Sequence, residues 1–413
     1  DSIEVGRIAD RIDQKSHGKI MTSDVKNSRI MIVASEASGD IHGAKVIKAV
    51  QQLSPGTTFI GVGGQRMSAA GCEILIPGED LAVMGLIEVV GHLPVILRSL
   101  QTLKNVLHSD IRPDALVLID SPEFNLRLAK YAKRAGVPVL YYVSPQVWAW
   151  RRGRVRTIAA VVDKLAAILP FEPDFYRGLD IDVRYVGHPL LDEFRVTRSR
   201  QALLEDLQVG SDRPVVGLFP GSRRNELKYM LGTLVATAEQ LICRQPELNF
   251  LVPVASTLTR EEISSHFPSG LPVRYIDADE ASIYDIANAC DAIASVSGTV
   301  TLQIALVGTP MVIFYKLSPV SYAIGKLLVK VDHFGLANIV AGKRIIKELV
   351  QDEASAEVLS DEILRILHDD AYAQQMRSDL VGIQQELGAP GCSERVAEML
   401  LELTEEDRDK SQK

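Results

Sequence analysis

The feature that most constrains the fold of this chain is a unit of three parts that repeats along it. A short apolar run is followed by a loop of small and polar residues and then by apolar residues at helical spacing; residues 30–35, 36–40 and 44–53 are the first example. A run that is apolar at every position is typical of a strand covered on both faces. Such strands alternating with helices predict an α/β fold with doubly wound, parallel sheets.

The unit recurs on both sides of one break in the pattern. Before the break, further apolar runs stand at residues 58–62, 115–120, 137–143, 164–169 and 183–186. After the charged stretch 195–213, new runs stand at residues 214–219, 249–254, 273–276, 292–295 and 310–314. We therefore predict two Rossmann-like domains, 29–195 and 196–369. Because ligands of open α/β sheets bind at the carboxyl ends of the strands, we expect the domains to face a cleft that holds the active site.

The two ends of the chain lack this pattern. Residues 370–413 are charged and have helical periodicity, which predicts a C-terminal helical segment. Residues 1–28 have alternating charges and no apolar stretch of the kind that a signal peptide carries. We expect them to be a disordered extension, with Met21 as a candidate for the native start.

Composition and charge disfavour several classes of protein. The chain has 45 Lys and Arg against 53 Asp and Glu, a net charge of −8, which disfavours a general nucleic-acid binder. Its four cysteines lie far apart, which disfavours a disulfide framework or a zinc site and suits a reducing, cytosolic compartment. No apolar run reaches the length of about 18 residues that spans a membrane. His188 has no second histidine at ligand spacing, so we expect no metal and no cofactor.

A first candidate phosphate site follows the apolar run 214–219. Gly221, Ser222, Arg223 and Arg224 stand between that run and a helical stretch. Backbone N–H groups at a helix start can hold a phosphate, and an arginine can add a bidentate contact. The spacing is not that of a Walker A loop. The alternative interpretation is a turn with two solvated arginines.

A second candidate follows the run 292–295. Ser297, Gly298 and Thr299 are small or hydroxyl residues at a predicted helix start, and Gln303 stands one turn further, within reach of a ribose. The alternative is an ordinary helix cap. Two such loops in one domain favour a nucleoside diphosphate. Neither loop carries a pair of acidic residues that would hold Mg²⁺.

In the first domain, carboxylates follow two of the buried strands. Glu36, Ser38 and Asp40 lie in the loop after the first strand, and Asp120 ends the run 115–120. A carboxylate at the end of a central strand can act as a general base. It can equally cap the helix that follows, and the residues alone leave both roles open.

Two further segments suit an amphipathic, phosphorylated ligand or an anionic membrane surface. Both tryptophans of the chain, Trp148 and Trp150, directly precede a group of arginines: Arg151, Arg152, Arg154 and Arg156. The segment 81–97, which includes Met84, is apolar enough for an acyl-chain groove. The alternatives are core tryptophans beside an exposed basic helix and a buried apolar helix. Single-stranded nucleic acid is the lesser interpretation of the tryptophans because the chain is acidic.

Together these motifs resemble the bacterial lipid-A-disaccharide synthase family from residue 29 to about residue 400. The matching motifs are SEASGD at 35–40, GVGG at 61–64, LAVMGLIEVV at 81–90, DSPEFN at 120–125, YVSPQVWAWR at 142–151, LPFE at 169–172, VGHPLLD at 186–192, PGSRRNE at 220–226, SGTVTLQ at 297–303, LANIVAG at 336–342 and GAPGCSER at 388–395. The number of motifs and their order along the chain make the resemblance specific.

The resemblance implies a glycosyltransferase B fold and an inverting, metal-independent transfer. UDP-2,3-diacylglucosamine and 2,3-diacylglucosamine 1-phosphate would give the β-1,6-linked disaccharide 1-phosphate and UDP. The enzyme would be a homodimer, peripheral on the cytoplasmic face of the inner membrane, whose C-terminal helices pack back or exchange between subunits. The rival interpretations are a UDP-N-acetylglucosamine 2-epimerase, which needs no acyl groove, and a non-catalytic nucleotide-binding protein of the membrane surface.

The resemblance also implies roles for individual residues. Asp120 would be the catalytic base, with Glu36 as the competing carboxylate. Asn338 would lie near the donor, and Gln303 stands where the family more often has glutamate. The remaining donor-binding residues would be Ser222, Arg223, Ser297, Gly298 and Thr299. The residues that meet the acceptor or the membrane would be Ser38, Met84, Trp148, Trp150, Arg151 and Arg152.

Overall fold

The computed structural model describes residues 28–81, 86–147, 153–318, 322 and 333–411. The chain divides into two compact units. The first runs through Pro189 and resumes at Pro390, and the second is Leu190–Ala389. The predicted C-terminal segment 370–413 is thus shared between the units, its first part belonging to the second unit and its last part to the first.

The first unit is built on a parallel sheet of seven strands within the described residues. The strands are β1 (Arg29–Ala34), β2 (Thr58–Gly63), β3 (Cys72–Pro77), β4 (Ala115–Ile119), β5 (Val139–Tyr142), β6 (Lys164–Ala167) and β7 (Asp182–Tyr185). The helices between them are α1 (Ala37–Leu53), α2 (Gln65–Ala69), α3 (Leu86–Leu107), α4 (Pro122–Arg134) and α5 (Arg154–Ala159). Short 3₁₀ turns occupy Gly78–Asp80 and Glu172–Tyr176.

The strand order in this sheet is β3-β2-β1-β4-β5-β6-β7. Alternate residues of β1 face two separate apolar cores: Ile30 and Ile32 belong to one, and Met31 and Val33 to the other. Burial on both faces explains why the strand is apolar at every position. The order reverses between β1 and β4, so the ends of these two strands flank the crevice where such sheets bind ligands.

The second unit repeats the plan. Its sheet has six parallel strands in the part of the chain that the structure describes: β8 (Val215–Phe219), β9 (Asn249–Val254), β10 (Val273–Asp277), β11 (Ala292–Val296), β12 (Met311–Tyr315) and β13 (Lys347–Val350). Its helices are α6 (Leu190–Glu193), α7 (Arg200–Asp206), α8 (Arg224–Arg244), α9 (Arg260–Ser264), α10 (Ile283–Ala289), α11 (Val300–Val307), α12 (Leu336–Ala341), α13 (Ala356–His368) and α14 (Asp370–Glu386). The order β10-β9-β8-β11-β12-β13 reverses between β8 and β11. The predicted doubly wound α/β class is confirmed for both units.

One more helix, α15 (Cys392–Ser411), completes the first unit. It packs beside α1, and its buried Val396, Leu400 and Leu403 share one core with Ile30 and Ile32 of β1. Because burying an aliphatic side chain stabilises by roughly 1.5–3 kcal/mol, this helix is an integral part of the fold of the unit.

Ion pairs also attach α15 to the sheet. The ammonium group of Lys164, at the start of β6, lies 3.1 Å from Glu402 and 2.8 Å from Glu406 of the helix. The Lys164 side chain is only 3% exposed. Burial on its own would raise the pKa of Glu402, but hydrogen bonds from Lys164 and Arg184 outweigh it and lower the pKa below its usual range. A buried ammonium that is paired in this way makes the position of the helix specific.

Gly61 on β2 shows a close approach of two backbones. Its φ is +150°, and a Cβ atom at this position would lie 2.0 Å from the main-chain oxygen of Ile32. Only glycine has no Cβ atom to place there, so the close pairing of strands β1 and β2 depends on this residue.

No helix among the described residues is both long and apolar enough to span a membrane.

Candidate active site

The second unit has a pocket of about 420 Å³ at the carboxyl ends of β8 and β11. It lies at the point where the strand order reverses. Two predicted loops line it together, contributing Ser222, Arg223, Ser297, Gly298, Thr299 and Gln303. Because each loop follows a buried strand and leads into a helix, the two strands bring segments that are far apart in the chain to one place.

The loop after β8 separates the two candidate arginines. Gly221 has φ +92° and turns the chain between β8 and α8. Arg223 stands at the N-cap of α8 and lines the pocket. Arg224 instead pairs with Glu262, with 2.8 Å between its Nε and the carboxylate. Arg223 is therefore the arginine placed to meet an anion in the pocket.

The loop after β11 is held by its own hydroxyl groups. The Ser297 hydroxyl donates to the main-chain oxygen of Phe334 at 3.1 Å, and the Thr301 hydroxyl donates to that of Gly298 at 2.8 Å. Thr299 occupies the N-cap of α11, but its side chain makes no capping hydrogen bond. The ordinary cap that the sequence left open is thus not formed by Thr299.

The wall of the pocket contains residues that the sequence analysis did not single out. They lie at the carboxyl ends of β9 and β10 and in the segments that follow, up to the first turn of α10; β9 is the strand beside β8. They are Pro253, Val254, Ala255, Ser256, Ile276, Ala278, Ala281, Ser282, Ile283 and Ile286. Most are apolar or small, as suits the flat face of a base. The available signal was their position at the ends of β9 and β10, since no motif marks them.

Asn338 does not line this pocket. It is fully buried, and its side-chain Nδ2 donates to the main-chain oxygen of Ile346 and to Glu348, each at 2.8 Å. Its Oδ1 accepts from the N–H groups of Ile345 and Ile346. The side chain is therefore occupied in holding the chain between α12 and β13.

The partner of Asn338, Glu348, connects that loop to the pocket. Its buried carboxylate accepts from the N–H groups of Gly335 at 2.7 Å and Phe334 at 3.0 Å. Phe334 is the residue whose carbonyl oxygen accepts from Ser297. Asn338 and Glu348 thus support the segment against which the second phosphate-type loop rests.

In the first unit, Asp120 follows β4 at the corresponding reversal of strand order. Asp120 and Ser121 have φ values of +51° and +43°, which place two successive non-glycine residues in the left-handed region. Asp120 is half-buried, and burial raises the pKa of its carboxyl group, against the opposing effect of a hydrogen bond from the Ser121 backbone. Unusual backbone angles and a raised pKa at a strand end are typical of functional sites.

Glu36, the competing carboxylate, follows the neighbouring strand, β1. Ala34 of β1 pairs with Ile119 of β4, so the residues after both strands emerge side by side. The hydroxyls of Ser35 and Ser121 are in hydrogen-bond contact there. Glu36 occupies the N-cap of α1 without a capping hydrogen bond from its side chain. The structure thus brings the two candidate bases to adjacent strand ends.

A cavity of about 610 Å³ lies beside Glu36, at the ends of β1, β2 and β3. Asp40 lines it, but its carboxylate accepts from the N–H groups of Gly64, Arg66 and Met67 at 2.7–3.1 Å. Asp40 therefore caps α2, and not α1, the helix after its own loop for which the sequence left a capping role open. Ser38 is exposed in the first turn of α1.

Several predicted acceptor or membrane residues lie outside the described residues: Met84, Trp148, Trp150, Arg151 and Arg152. Part of the apolar segment 81–97 is described. Leu93 and Leu97, one turn apart on α3, are 43% and 52% exposed. They place apolar surface in contact with solvent.

Among the described residues, no group of three or more His, Cys, Asp or Glu side chains could hold a metal ion. His188 is buried, and burial together with the nearby His42 lowers its pKa to about 4. It is therefore a neutral group of the core of the first unit at ordinary pH.

Comparison with known proteins assigns a family. A family model described as lipid-A-disaccharide synthetase matches residues 30–398. The lipid-A-disaccharide synthase of Syntrophotalea carbinolica is 59% identical over 92% of this chain and 96% of its own length. That of Geobacter sulfurreducens is 49% identical over 91% of this chain and 97% of its own length.

Solved structures show a shared fold at low identity. The UDP-GlcNAc 2-epimerase of Neisseria meningitidis has a TM-score of 0.61 and 14% identity, covering 91% of this chain and 100% of its own. The calicheamicin glycosyltransferase CalG4 has a TM-score of 0.57 and 15% identity, covering 92% of this chain and 98% of its own. Such likeness indicates a glycosyltransferase B fold and leaves the choice between transferase and epimerase to the family match.

Proposed function

This chain belongs to the lipid-A-disaccharide synthase family, a family of glycosyltransferases of lipid A biosynthesis, and from this membership we propose its reaction. It transfers the diacylglucosamine unit of UDP-2,3-diacylglucosamine to 2,3-diacylglucosamine 1-phosphate, with inversion at the transferred carbon. The observation that carries the proposal is the pocket of the second unit, which gathers all the predicted donor-binding residues except Asn338. A half-buried carboxylate, Asp120, follows the corresponding strand β4 of the first unit.

In the proposed mechanism one displacement inverts the anomeric carbon. The Asp120 carboxylate takes the proton of the acceptor 6-hydroxyl as its oxygen forms the new bond to the anomeric carbon. The bond from that carbon to the diphosphate breaks, and its electron pair leaves with UDP. A base whose pKa is raised toward the working pH is better suited to accept this proton.

The departing diphosphate gains negative charge, which must be stabilised. Arg223 and the N-terminus of α11 at Gly298 and Thr299 line the pocket where we place it. Positive groups that are fixed before the reaction stabilise developing charge without reorganisation. We propose that these groups suffice and that no metal is needed.

We further propose that acceptor and membrane meet the first unit. The exposed Leu93 and Leu97 of α3 support an apolar contact with acyl chains or a bilayer. The residues predicted to contact the acceptor or the membrane remain Ser38, Met84, Trp148, Trp150, Arg151 and Arg152. We expect a peripheral protein on the cytoplasmic face of the inner membrane, acting as a homodimer.

The arginine of the donor loop gives a direct test of the phosphate assignment. Arg223→Ala should lower kcat/KM for the UDP-linked donor about 10- to 100-fold, because a charge-assisted contact to the diphosphate is lost. Arg224→Ala is the matched control, since its side chain pairs with Glu262. The kcat/KM of this variant should stay close to that of the unmodified protein. If kcat/KM for the donor, measured over a range of donor concentrations, is as little changed in Arg223→Ala as in Arg224→Ala, the assignment of the diphosphate to this loop is wrong.

A transfer assay tests the reaction itself. Purified protein, both diacyl substrates and EDTA are combined in detergent, and mass spectrometry follows the disaccharide 1-phosphate. Product in EDTA is the expected result and supports both the reaction and its independence of metal. If neither EDTA nor added Mg²⁺ gives product, the proposal fails. Detection of epimerised UDP-sugar would then favour the 2-epimerase reaction, and UDP binding alone would favour a non-catalytic protein.

A further inference from the structure

The main-chain oxygen of Asp120 accepts two side-chain hydrogen bonds. The Tyr141 hydroxyl donates to it at 2.5 Å and Nδ2 of Asn125 donates to it at 2.7 Å. Both side chains are fully buried. Two buried donors on one carbonyl oxygen fix the orientation of that peptide unit.

The two donors come from different elements. Tyr141 lies on β5, which pairs with β4 and places Tyr141 opposite Leu118. Asn125 lies in the second turn of α4 and also donates to the main-chain oxygen of Ile119 at 3.1 Å. The end of β4 is therefore held both from the neighbouring strand and from the helix that follows.

This support matters because the turn is strained. Asp120 and Ser121 both have left-handed φ values, which cost non-glycine residues roughly 1–2 kcal/mol each. Such a conformation persists only where its surroundings determine it. If the hydrogen bonds were lost, the turn could relax and the Asp120 carboxylate would move.

We propose that Tyr141 and Asn125 are positioning residues that hold the catalytic base Asp120 in its half-buried, reactive orientation; the inference rests on the proposed function. Both donate to the main-chain oxygen of Asp120 and not to the carboxylate that takes the proton. They act through the backbone, so they set where the base points without consuming its acceptor capacity. Even a displacement of about 1 Å can cost a reaction of this kind about 10²-fold.

The neighbouring tyrosine provides a matched control. Tyr142 is as fully buried as Tyr141, and its hydroxyl contacts the Cys392 sulfur at 3.2 Å. Adjacent residues of a strand point to opposite faces of the sheet, so Tyr142 faces the other core. Tyr141→Phe and Tyr142→Phe each remove one hydroxyl from one fully buried ring, and only the first removes support from Asp120.

The experiment compares these variants with the unmodified enzyme in the transfer assay. Tyr141→Phe should lower kcat about tenfold with KM for both substrates unchanged, whereas Tyr142→Phe should keep kcat. The acid limb of the pH–rate profile should also move to lower pH in Tyr141→Phe. The reason is that burial raises the pKa of Asp120, and a relaxed, more hydrated carboxylate loses that shift. A purely structural role would not move this limb.

Two further variants distinguish failure of the positioning inference from failure of the base assignment. Asn125→Leu, similar in volume, should shift the acid limb in the same direction, with folding checked by thermal unfolding. Asp120→Asn is measured alongside. If Asp120→Asn loses turnover while Tyr141→Phe keeps both its kcat and its acid limb, the positioning inference alone is wrong. If Asp120→Asn keeps turnover, the base assignment is wrong and the inference falls with it. Absence of transfer by the unmodified enzyme would overturn the proposed function first.

Discussion

Replacing Asp120 by asparagine is expected to lower turnover by a factor of about 10² or more while UDP affinity stays nearly unchanged. Asparagine keeps the size and shape of the side chain but cannot accept the proton of the acceptor hydroxyl. We place UDP in the pocket of the second unit, so we expect its affinity not to depend on this carboxylate. Steady-state transfer kinetics and calorimetric titration with UDP measure the two quantities.

The pH dependence of kcat/KM provides a further test of Asp120 as the base. In the unmodified enzyme, kcat/KM should fall as pH decreases through the pKa of Asp120, because only the carboxylate can act as a base. Burial raises that pKa above 3.8, so the fall begins at a higher pH than for an exposed aspartate. Glu36→Gln serves as the comparison, since Glu36 follows the adjacent strand β1. A larger loss in Glu36→Gln than in Asp120→Asn would transfer the role of base to Glu36.

Gly61→Ala is expected to prevent stable folding of the first unit. The new Cβ atom would lie 2.0 Å from the main-chain oxygen of Ile32, on a residue with φ +150°. Neither partner is a flexible side chain, since the clash joins the backbones of the neighbouring strands β1 and β2. We expect a loss of more than about 4 kcal/mol, the range in which core disruption exceeds ordinary substitutions.

Gly270→Ala is the control for this second prediction. Gly270 also has a positive φ, +109°, but no atom lies within 4 Å of the position that its Cβ atom would take. Its substitution adds the backbone strain without a clash and should cost only about 1–2 kcal/mol. Thermal and denaturant unfolding compare the two proteins. Similar stability of the two variants would mean that the strands can separate enough to admit a methyl group.

Burial accounts for part of the difference between the strands that the sequence predicted and those it missed. β1 and β4 are buried along almost their whole length, and a continuous apolar run marks each of them. β3 and β13 were not predicted. Each lies at an edge of its sheet and is only partly buried, so its sequence carries exposed positions and no continuous run. An edge position alone does not decide the outcome, because the edge strands β7 and β10 are also only partly buried and were predicted.

The features of the candidate site also differ in whether a local sequence pattern marks them. The loops with Arg223 and Thr299 could be found because each follows a buried strand with small and polar residues, a pattern local in the chain. The hydrogen bond from Tyr141 to Asp120 could not, because it depends on the pairing of β4 with β5. The hydrogen bonds of Asn338 with Glu348 and the neighbouring main chain likewise depend on tertiary packing. A sequence motif shows only that an asparagine stands at that position.

The return of α15 to the first unit has a consequence for synthesis of the protein. During translation the ribosome completes the whole second unit before it supplies the helix that covers one face of the first sheet. Until then α1 covers only part of that apolar face, whereas the second unit has all of its own residues and can fold first. A chain truncated anywhere in the second unit would therefore lack α15 and leave part of the core of its first unit exposed. Such a fragment is a substrate for chaperones and proteases.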